Sequence, residues 1–192
     1  MSKIVKKPFV ALRPVPTVLV SCGHGERANI ISIAWIGTLC SKPPQLGIGV
    51  RPNRHSHGLI QETGEFVVNI PGEGLIDEVE YCGFVSGRDV DKFAVRGLTP
   101  VPGSKIQTPI IAECPINVEC RVSHTLSLGS HDLFVGEVVA VQFSQDVLDE
   151  QGRVDDAKLK PILYTGSEYW GLGSFIGRFG FSKQSPALRK RK

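Results

Sequence analysis

The feature that most constrains the fold is the close spacing of turn-forming residues along the chain. The 192 residues include 21 glycines and 13 prolines, and short runs rich in valine, isoleucine and leucine lie between them. Such runs predict short strands rather than long helices. No strand alternates with a long helix, which argues against a doubly wound parallel sheet. The pattern favours a closed antiparallel barrel, because closure removes exposed sheet edges.

The predicted strands and helices follow from apolar alternation and from the turn residues that bound it. Strands are predicted at residues 17–21, 29–36, 46–50, 66–70, 116–123, 132–143 and 162–165. Helical segments are predicted at 56–62 with Ser56 as the cap, at 75–82 and at 89–94. The stretch 169–180, rich in glycine and aromatic residues, stays unassigned.

Composition and charge restrict the class of protein. The net charge of +3 is too small to predict a nucleic-acid partner. No apolar run reaches the roughly 18 residues of a membrane span, and residues 1–7 lack the apolar core of a signal peptide. We therefore expect a cytoplasmic protein with one domain over 1–192, whose basic tail 185–192 is disordered.

The five cysteines do not form a metal or disulfide pattern. They contain no C-x-x-C pair, and their number is odd, so neither kind of site is predicted. We expect small buried side chains, with Cys40 as the candidate if one thiol is redox-active.

Several motifs stand in a fixed order along the chain. They are A-N-I-I-S-I-A-W at 28–35, K-P-P at 42–44, R-P-N-R-H-S at 51–56, G-E-F-V-V-N-I-P at 64–71, S-G-R-D-V-D-K-F at 86–93 and G-S-H-D-L-F-V-G-E-V at 129–138. In this order and spacing the chain resembles the flavin reductase-like, FMN-binding split-barrel family, in particular its flavoredoxin members. Each motif alone is weak, whereas their order over most of the chain is specific.

The resemblance implies a mainly β fold, an antiparallel Greek-key split barrel with short helical insertions. It also implies a homodimer with FMN near the subunit interface, and hydride or electron transfer through that flavin without a catalytic acid–base residue. Two versions stay open: a reductase that uses NAD(P)H, and a carrier that takes electrons from a protein donor. No G-x-G-x-x-G fingerprint follows a strand, so the sequence does not identify the donor.

A phosphate site is predicted where a strand passes into a helix. Arg51, Arg54, His55 and Ser56 fall at this transition. A helix N-terminus with guanidinium and hydroxyl groups suits the doubly charged phosphate of FMN. The alternative is that both arginines are solvated loop charges and that Ser56 only caps its helix.

The strand before this site is predicted to pass along the flavin ring. In the family, Asn29, Ser32, Ala34 and Trp35 would lend backbone amides and side chains to the flavin. The alternative for Trp35 is an ordinary place in the barrel core. Asn29 lies opposite to Ser32 and Ala34 by strict alternation, so we expect a bulge or a strand end there.

The S-G-R-D-V-D-K-F motif contributes a lysine. The resemblance puts Lys92 near the pyrimidine edge of the ring, where a cation stabilises the reduced flavin, and puts Ser86 and Gly87 on a loop that closes the region. The alternative is a surface ion pair of Lys92 with Asp89 or Asp91, which would contribute little.

The resemblance also implies that His131 faces the flavin and that Tyr164 forms a second wall of the ring site. A histidine at a strand start is otherwise more often a surface residue. A function of another class is a non-catalytic split barrel that holds haem or another cofactor, with His131 or His124 as the axial ligand.

Overall fold

The computed structural model describes residues 1–181, so the tail 185–192 lies outside the described residues. Strands dominate, and the helices are short. The strands are β1 Val15–Pro16, β2 Val18–Cys22, β3 Asn29–Ile33, β4 Ile36–Ser41, β5 Pro44–Val50, β6 Glu65–Ile70, β7 Pro100–Val101, β8 Ile110–Ile111, β9 Ile116–Ser127, β10 Asp132–Phe143, β11 Leu163–Tyr164 and β12 Tyr169–Trp170. The helices are α1 His55–Thr63, α2 Ile76–Phe84, α3 Lys92–Arg96 and α4 Asp156–Leu159.

The main sheet has seven antiparallel strands in the order β3-β2-β6-β9-β10-β5-β4. Its two edge strands, β3 and β4, are consecutive in the chain and are separated only by Ala34 and Trp35. So short a link can join opposite edges only if the sheet curls round on itself. The amide of Gly49 also donates to the carbonyl of Trp35 across this junction, at 2.8 Å. The antiparallel barrel expected from the sequence is confirmed.

The core fills the inside of this curled sheet. Phe66, Phe134 and Ile48 are fully buried there, and α1 adds Leu59 and Ile60 to the same cluster. Burial of one such side chain stabilises the fold by about 1.5–3 kcal/mol. The apolar side of α1 therefore holds this helix against the barrel, with its N-terminus next to the end of β5.

A second apolar cluster holds α2 and α3 against the outside of the sheet. Leu19 and Ile30 from the sheet pack there with Val79 of α2 and Phe93 of α3. The two helices lie beside β3, the strand that carries the A-N-I-I-S-I-A-W motif. Both clusters thus bring helical residues next to this strand.

The predicted strand 29–36 is wrong at its end, since β3 stops at Ile33 and a new strand begins at Ile36. Trp35 turns the corner between the two sheet edges, which an apolar run in the sequence does not reveal. β4 was not predicted from the sequence, because its glycine and polar residues do not form a strand pattern. Pairing with β5 holds them extended, from Ile36 opposite Ile48 to Ser41 opposite Pro44.

The two-residue strands β1, β7, β8 and β12 were not predicted either, because such short pairings leave no periodic signal. The hairpin of β9 and β10 is confirmed, with β10 bounded as expected. The predicted helix cap at Ser56 is wrong: α1 begins one residue earlier, after Arg54 in extended conformation.

The predicted burial of cysteines is confirmed for four of the five, which are free and buried, while Cys40 on β4 is half-buried. Burial raises the pKa of Cys22 to about 12 and that of Cys82 to about 11. These two thiols therefore stay protonated and unreactive at neutral pH.

Gly136 in β10 provides a test of the packing. A Cβ atom at this position would overlap the ring of Phe66 and lie 2.8 Å from the Cβ of Cys120. We expect Gly136→Ala to lower the free energy of unfolding by about 1–3 kcal/mol through overpacking, measured by urea denaturation. Gly37→Ala, in β4 with open space around the added Cβ, is the control and should be nearly neutral. Equal stability of both variants would contradict the packing described.

Candidate functional site

Two adjoining cavities lie along β3 and share Ile31, Arg54 and Gly83 as wall residues. The larger cavity measures about 330 Å³ and the smaller about 150 Å³. Every residue that the sequence predicted to bind the cofactor lines one of the two. The larger cavity receives Ser32, Ala34, Trp35, Arg51, Arg54, His131 and Tyr164. The smaller receives Asn29, Arg54, His55, Ser56, Ser86, Gly87 and Lys92.

The smaller cavity opens onto the N-terminus of α1. His55 and Ser56 are its first two residues, where backbone amides have no partner within the helix and the helix dipole is positive. Arg88 adds a guanidinium that donates to the carbonyl of Asn53 at 3.1 Å. The lining residues of both cavities include four cations and no carboxylate. This surface suits an anion.

Asn29 and Ser56 form the floor of the smaller cavity. Asn29 is the first residue of β3, opposite Cys22 and without a bulge, so the expected strand end is found. Its Nδ2 donates to Ser56 Oγ at 2.8 Å, while its Oδ1 is buried without a hydrogen-bond partner in the described chain. Gly87 lies so close that a Cβ there would overlap this amide. One buried acceptor beside the smaller cavity is thus left without a hydrogen-bond partner among the described residues.

Lys92 is buried, with 3% of its surface exposed. Its Nζ donates to the carbonyls of Ile30 at 2.7 Å and Cys82 at 2.9 Å, and burial lowers its pKa. The surface ion pair considered for this lysine is wrong; Asp91 instead caps α3 by accepting from Ala94 N–H. Lys92 lines the smaller cavity and does not line the larger one, where Trp35 lies.

The larger cavity has an aromatic wall made by Trp35 and His131. The rings are nearly parallel, with an interplanar angle of 7° and centroids 5.7 Å apart. Because Trp35 is 48% exposed, its alternative place in the core is wrong. His131 Nε2 lies 3.4 Å from Arg51 Nε. Burial, and then the charge of Arg51, lower the pKa of His131, so this imidazole is neutral at pH 7.

Tyrosines form the other side of the larger cavity. The rings of Tyr164 and Tyr169 lie 5.4 Å apart. Tyr164 donates to the carbonyl of Gly166 at 2.7 Å, and Tyr169 donates to Glu80 Oε2 at 2.6 Å. Burial and the Glu80 carboxylate raise the pKa of Tyr169. The phenol of Tyr169 therefore stays protonated at neutral pH, and its hydrogen bond to Glu80 holds the ring in place.

Three lining residues that the sequence did not predict bring a charge or an aromatic ring to the site. Arg88 stands inside the S-G-R-D motif, so its place beside Ser86 and Gly87 could have identified it. Phe84 and Tyr169 line the larger cavity, but no local pattern marks them. They reach the site only through the packing of α2 and β12. His124, the other candidate axial ligand, is exposed on β9 and lines neither cavity.

Comparison with known proteins agrees with this geometry. Residues 11–173 match the family model of the flavin reductase like domain. The chain belongs to this family. Flavoredoxin of Desulfovibrio vulgaris (Miyazaki F) superposes with a TM-score of 0.88 at 31% identity, over 96% of this chain and 100% of that one. Flavoredoxin from Methanosarcina acetivorans superposes with a TM-score of 0.88 at 32% identity, over 97% and 100%.

An FMN-binding protein from Thermus thermophilus is also similar, with a TM-score of 0.78 at 29% identity over 92% and 99% of the two chains. Membership of the flavin reductase-like family and these similarities support a flavin-linked redox function. Within residues 1–181, no helix is both long and apolar enough to cross a membrane.

The contact between Arg51 and His131 predicts a measurable change in the pKa of His131 when Arg51 is replaced. Replacement of Arg51 by Met removes a positive charge beside the imidazole, so the pKa of His131 should rise toward its ordinary value of 6.5. Titration of the histidine ring protons by NMR in the flavin-free protein measures this change. Arg153→Met, which removes an arginine paired with Asp149 on the surface, should leave His131 unchanged. A pKa of His131 that is the same in both variants would contradict the assigned cause.

Proposed function

We propose that this protein binds FMN in the two adjoining cavities and works as a flavin-dependent oxidoreductase of the flavin reductase or flavoredoxin kind. The observation that carries the proposal is a carboxylate-free, cationic helix N-terminus that opens directly into an aromatic-walled cavity. FMN has the matching parts, a dianionic phosphate joined to a flat ring. Asn29 lines the smaller cavity, and its Oδ1, which has no hydrogen-bond partner among the described residues, fits a hydroxyl donor of the ribityl chain.

The smaller cavity would hold the phosphate. The first amides of α1, the hydroxyl of Ser56 and the guanidinium groups of Arg54 and Arg88 supply donors and charge. We also assign Lys92 to this end, because it lines the smaller cavity. Two of its three N–H groups are committed to backbone carbonyls, which leaves one for an anion. The resemblance implied a place at the ring edge for Lys92 instead, and that role stays a prediction.

The larger cavity would hold the ring between Trp35 and His131 on one side and Tyr164 on the other. When bound, FMN supplies the hydride or electron transfer. The side chains position the ring, exclude water from its faces and, through Arg51, favour negative charge at one edge. Both ring nitrogens of His131 already have partners, Arg51 Nε at 3.4 Å and Ser130 Oγ at 2.9 Å, so the imidazole contributes its ring face to the site.

The proposal extends to the electron donor, the oligomeric state and the cellular location of the protein. NAD(P)H or a redox protein would donate electrons. A homodimer is supported by the exposed apolar residues of both ends of the described chain, which include Phe9, Leu12, Phe175 and Ile176. Free cysteines suit a reducing compartment and support a cytoplasmic location.

The phosphate assignment predicts the effect of the double variant Arg54→Ala/Ser56→Ala. Each charge-assisted contact contributes about 1.5–3 kcal/mol, so the pair should weaken FMN binding by about 2–4 kcal/mol after allowance for non-additivity. This loss corresponds to a rise in the dissociation constant of roughly 30- to 900-fold. Fluorescence titration of the apoprotein with FMN measures it.

The matched control is Ser144→Ala/Arg153→Ala, which removes the same residue types at positions that line neither cavity. Its dissociation constant for FMN should equal that of the wild type. An unchanged constant in the Arg54/Ser56 variant, with its fold intact by circular dichroism, would remove the phosphate assignment. A purified protein with a haem Soret band and no affinity for FMN would instead support the binding-module alternative.

Anaerobic mixing of the FMN-loaded protein with NADH and with NADPH tests the enzymatic step. A flavin reductase should lose its flavin absorbance band within the time of one turnover with at least one nucleotide. Heat-released FMN at the same concentration, mixed with the same nucleotides, is the control for reduction in free solution. An absorbance band that persists with both nucleotides would contradict the reductase version and leave the carrier version.

A further inference from the structure

A buried hydrogen bond links α1, which begins at the smaller cavity, to β10, which begins directly after His131 of the larger cavity. His57, in the first turn of α1, points its Nε2 at Oδ2 of Asp132, the first residue of β10, at 2.8 Å. Both residues are buried, with exposed fractions of 6% for His57 and 9% for Asp132. The edge of the imidazole packs on Phe134 with ring centroids 5.1 Å apart. Neither residue has a part in the proposed flavin contacts.

The carboxylate of Asp132 is held from both sides. Its Oδ1 accepts from Ser127 Oγ at 2.8 Å, while Oδ2 contacts His57. The hydrogen bonds from Ser127 and His57 lower the pKa of Asp132, so the carboxylate is ionised at neutral pH. An ionised acceptor makes the bond to His57 charge-assisted and therefore about twice as strong as a neutral one.

The positions of the two residues in the chain give this bond its significance. His57 directly follows His55 and Ser56 at the smaller cavity, and Asp132 directly follows His131 at the larger cavity. It is also the one hydrogen bond between α1 and β10, both of which are fully described. Together with the packing of Leu59 and Ile60 in the core, the bond therefore helps to fix the distance between the helix N-terminus and the wall of Trp35 and His131.

We infer that His57 and Asp132 are positioning residues that keep the anion-binding helix end and the aromatic wall at the spacing required by a flavin with a terminal phosphate. This inference rests on the proposed function. A ligand that occupies both cavities at once gains from correct spacing, because a misplacement of one end weakens the contacts of the other. A ligand without the phosphate spans only part of the distance and gains less.

The test compares FMN with riboflavin, which has the same ring and ribityl chain without the phosphate. The variant His57→Leu/Asp132→Leu removes both polar partners, so it leaves no unpaired buried charge and retains apolar volume. His57→Gln keeps an N–H donor toward Asp132 and serves as the conservative variant. Ser127→Ala, which removes the other partner of the same carboxylate, is the control. Dissociation constants for both flavins are measured by fluorescence titration.

We expect the double leucine variant to lose FMN affinity by roughly tenfold or more, and riboflavin affinity by less than about threefold. His57→Gln should recover most of the FMN affinity, and Ser127→Ala should bind both flavins nearly as the wild type does. Equal losses for both flavins, or no loss for FMN, would overturn the inference while the proposed function stands. A wild-type protein that binds no FMN would instead overturn the proposed function itself.

Discussion

Ala34 and Trp35 join the two edges of the seven-stranded sheet, and this short link constrains everything around it. With β3 and β4 at opposite ends of the strand order, two intervening residues force the sheet to close. The bond from Gly49 N–H to the Trp35 carbonyl holds the junction. Closure also directs the indole outward at the junction, where it becomes a wall of the larger cavity instead of part of the core. Fold and site thus depend on the same corner.

The closed sheet also fixes where the positive groups of the site lie. Because α1 is held against the barrel by Leu59 and Ile60, its N-terminus meets the start of β3 at a fixed place. Lys92 approaches the same place from α3 with its ammonium group on two backbone carbonyls. A positive group held in this way costs little reorganisation when an anion arrives. The described residues that line the two cavities contribute no carboxylate to oppose it.

Turn spacing and apolar alternation predicted the barrel and the long hairpin, and the ordered motifs predicted many of the cavity residues through the family resemblance that they carry. The sequence did not predict the features that depend on tertiary contacts. The break after Ile33 depends on sheet closure, the burial of Lys92 depends on carbonyls from β3 and α2, and Tyr169 reaches the cavity through pairing of β11 with β12. The His57 bond was missed because its partner lies 75 residues away in the chain. No local sequence pattern reports a contact between residues so far apart in the chain.

The deep burial of Cys22 and Cys82 makes these thiols resistant to oxidants. A protein that handles electrons meets peroxide and other oxidants, which attack cysteine through its thiolate form. In Cys22 and Cys82 the raised pKa keeps that form scarce, although Cys82 itself lines the smaller cavity and Cys22 pairs across the sheet with the cavity residue Asn29. Sulfenic acid formation is thereby suppressed where redox turnover would otherwise favour it. The packing that shapes the two cavities thus also protects these cysteines from oxidation.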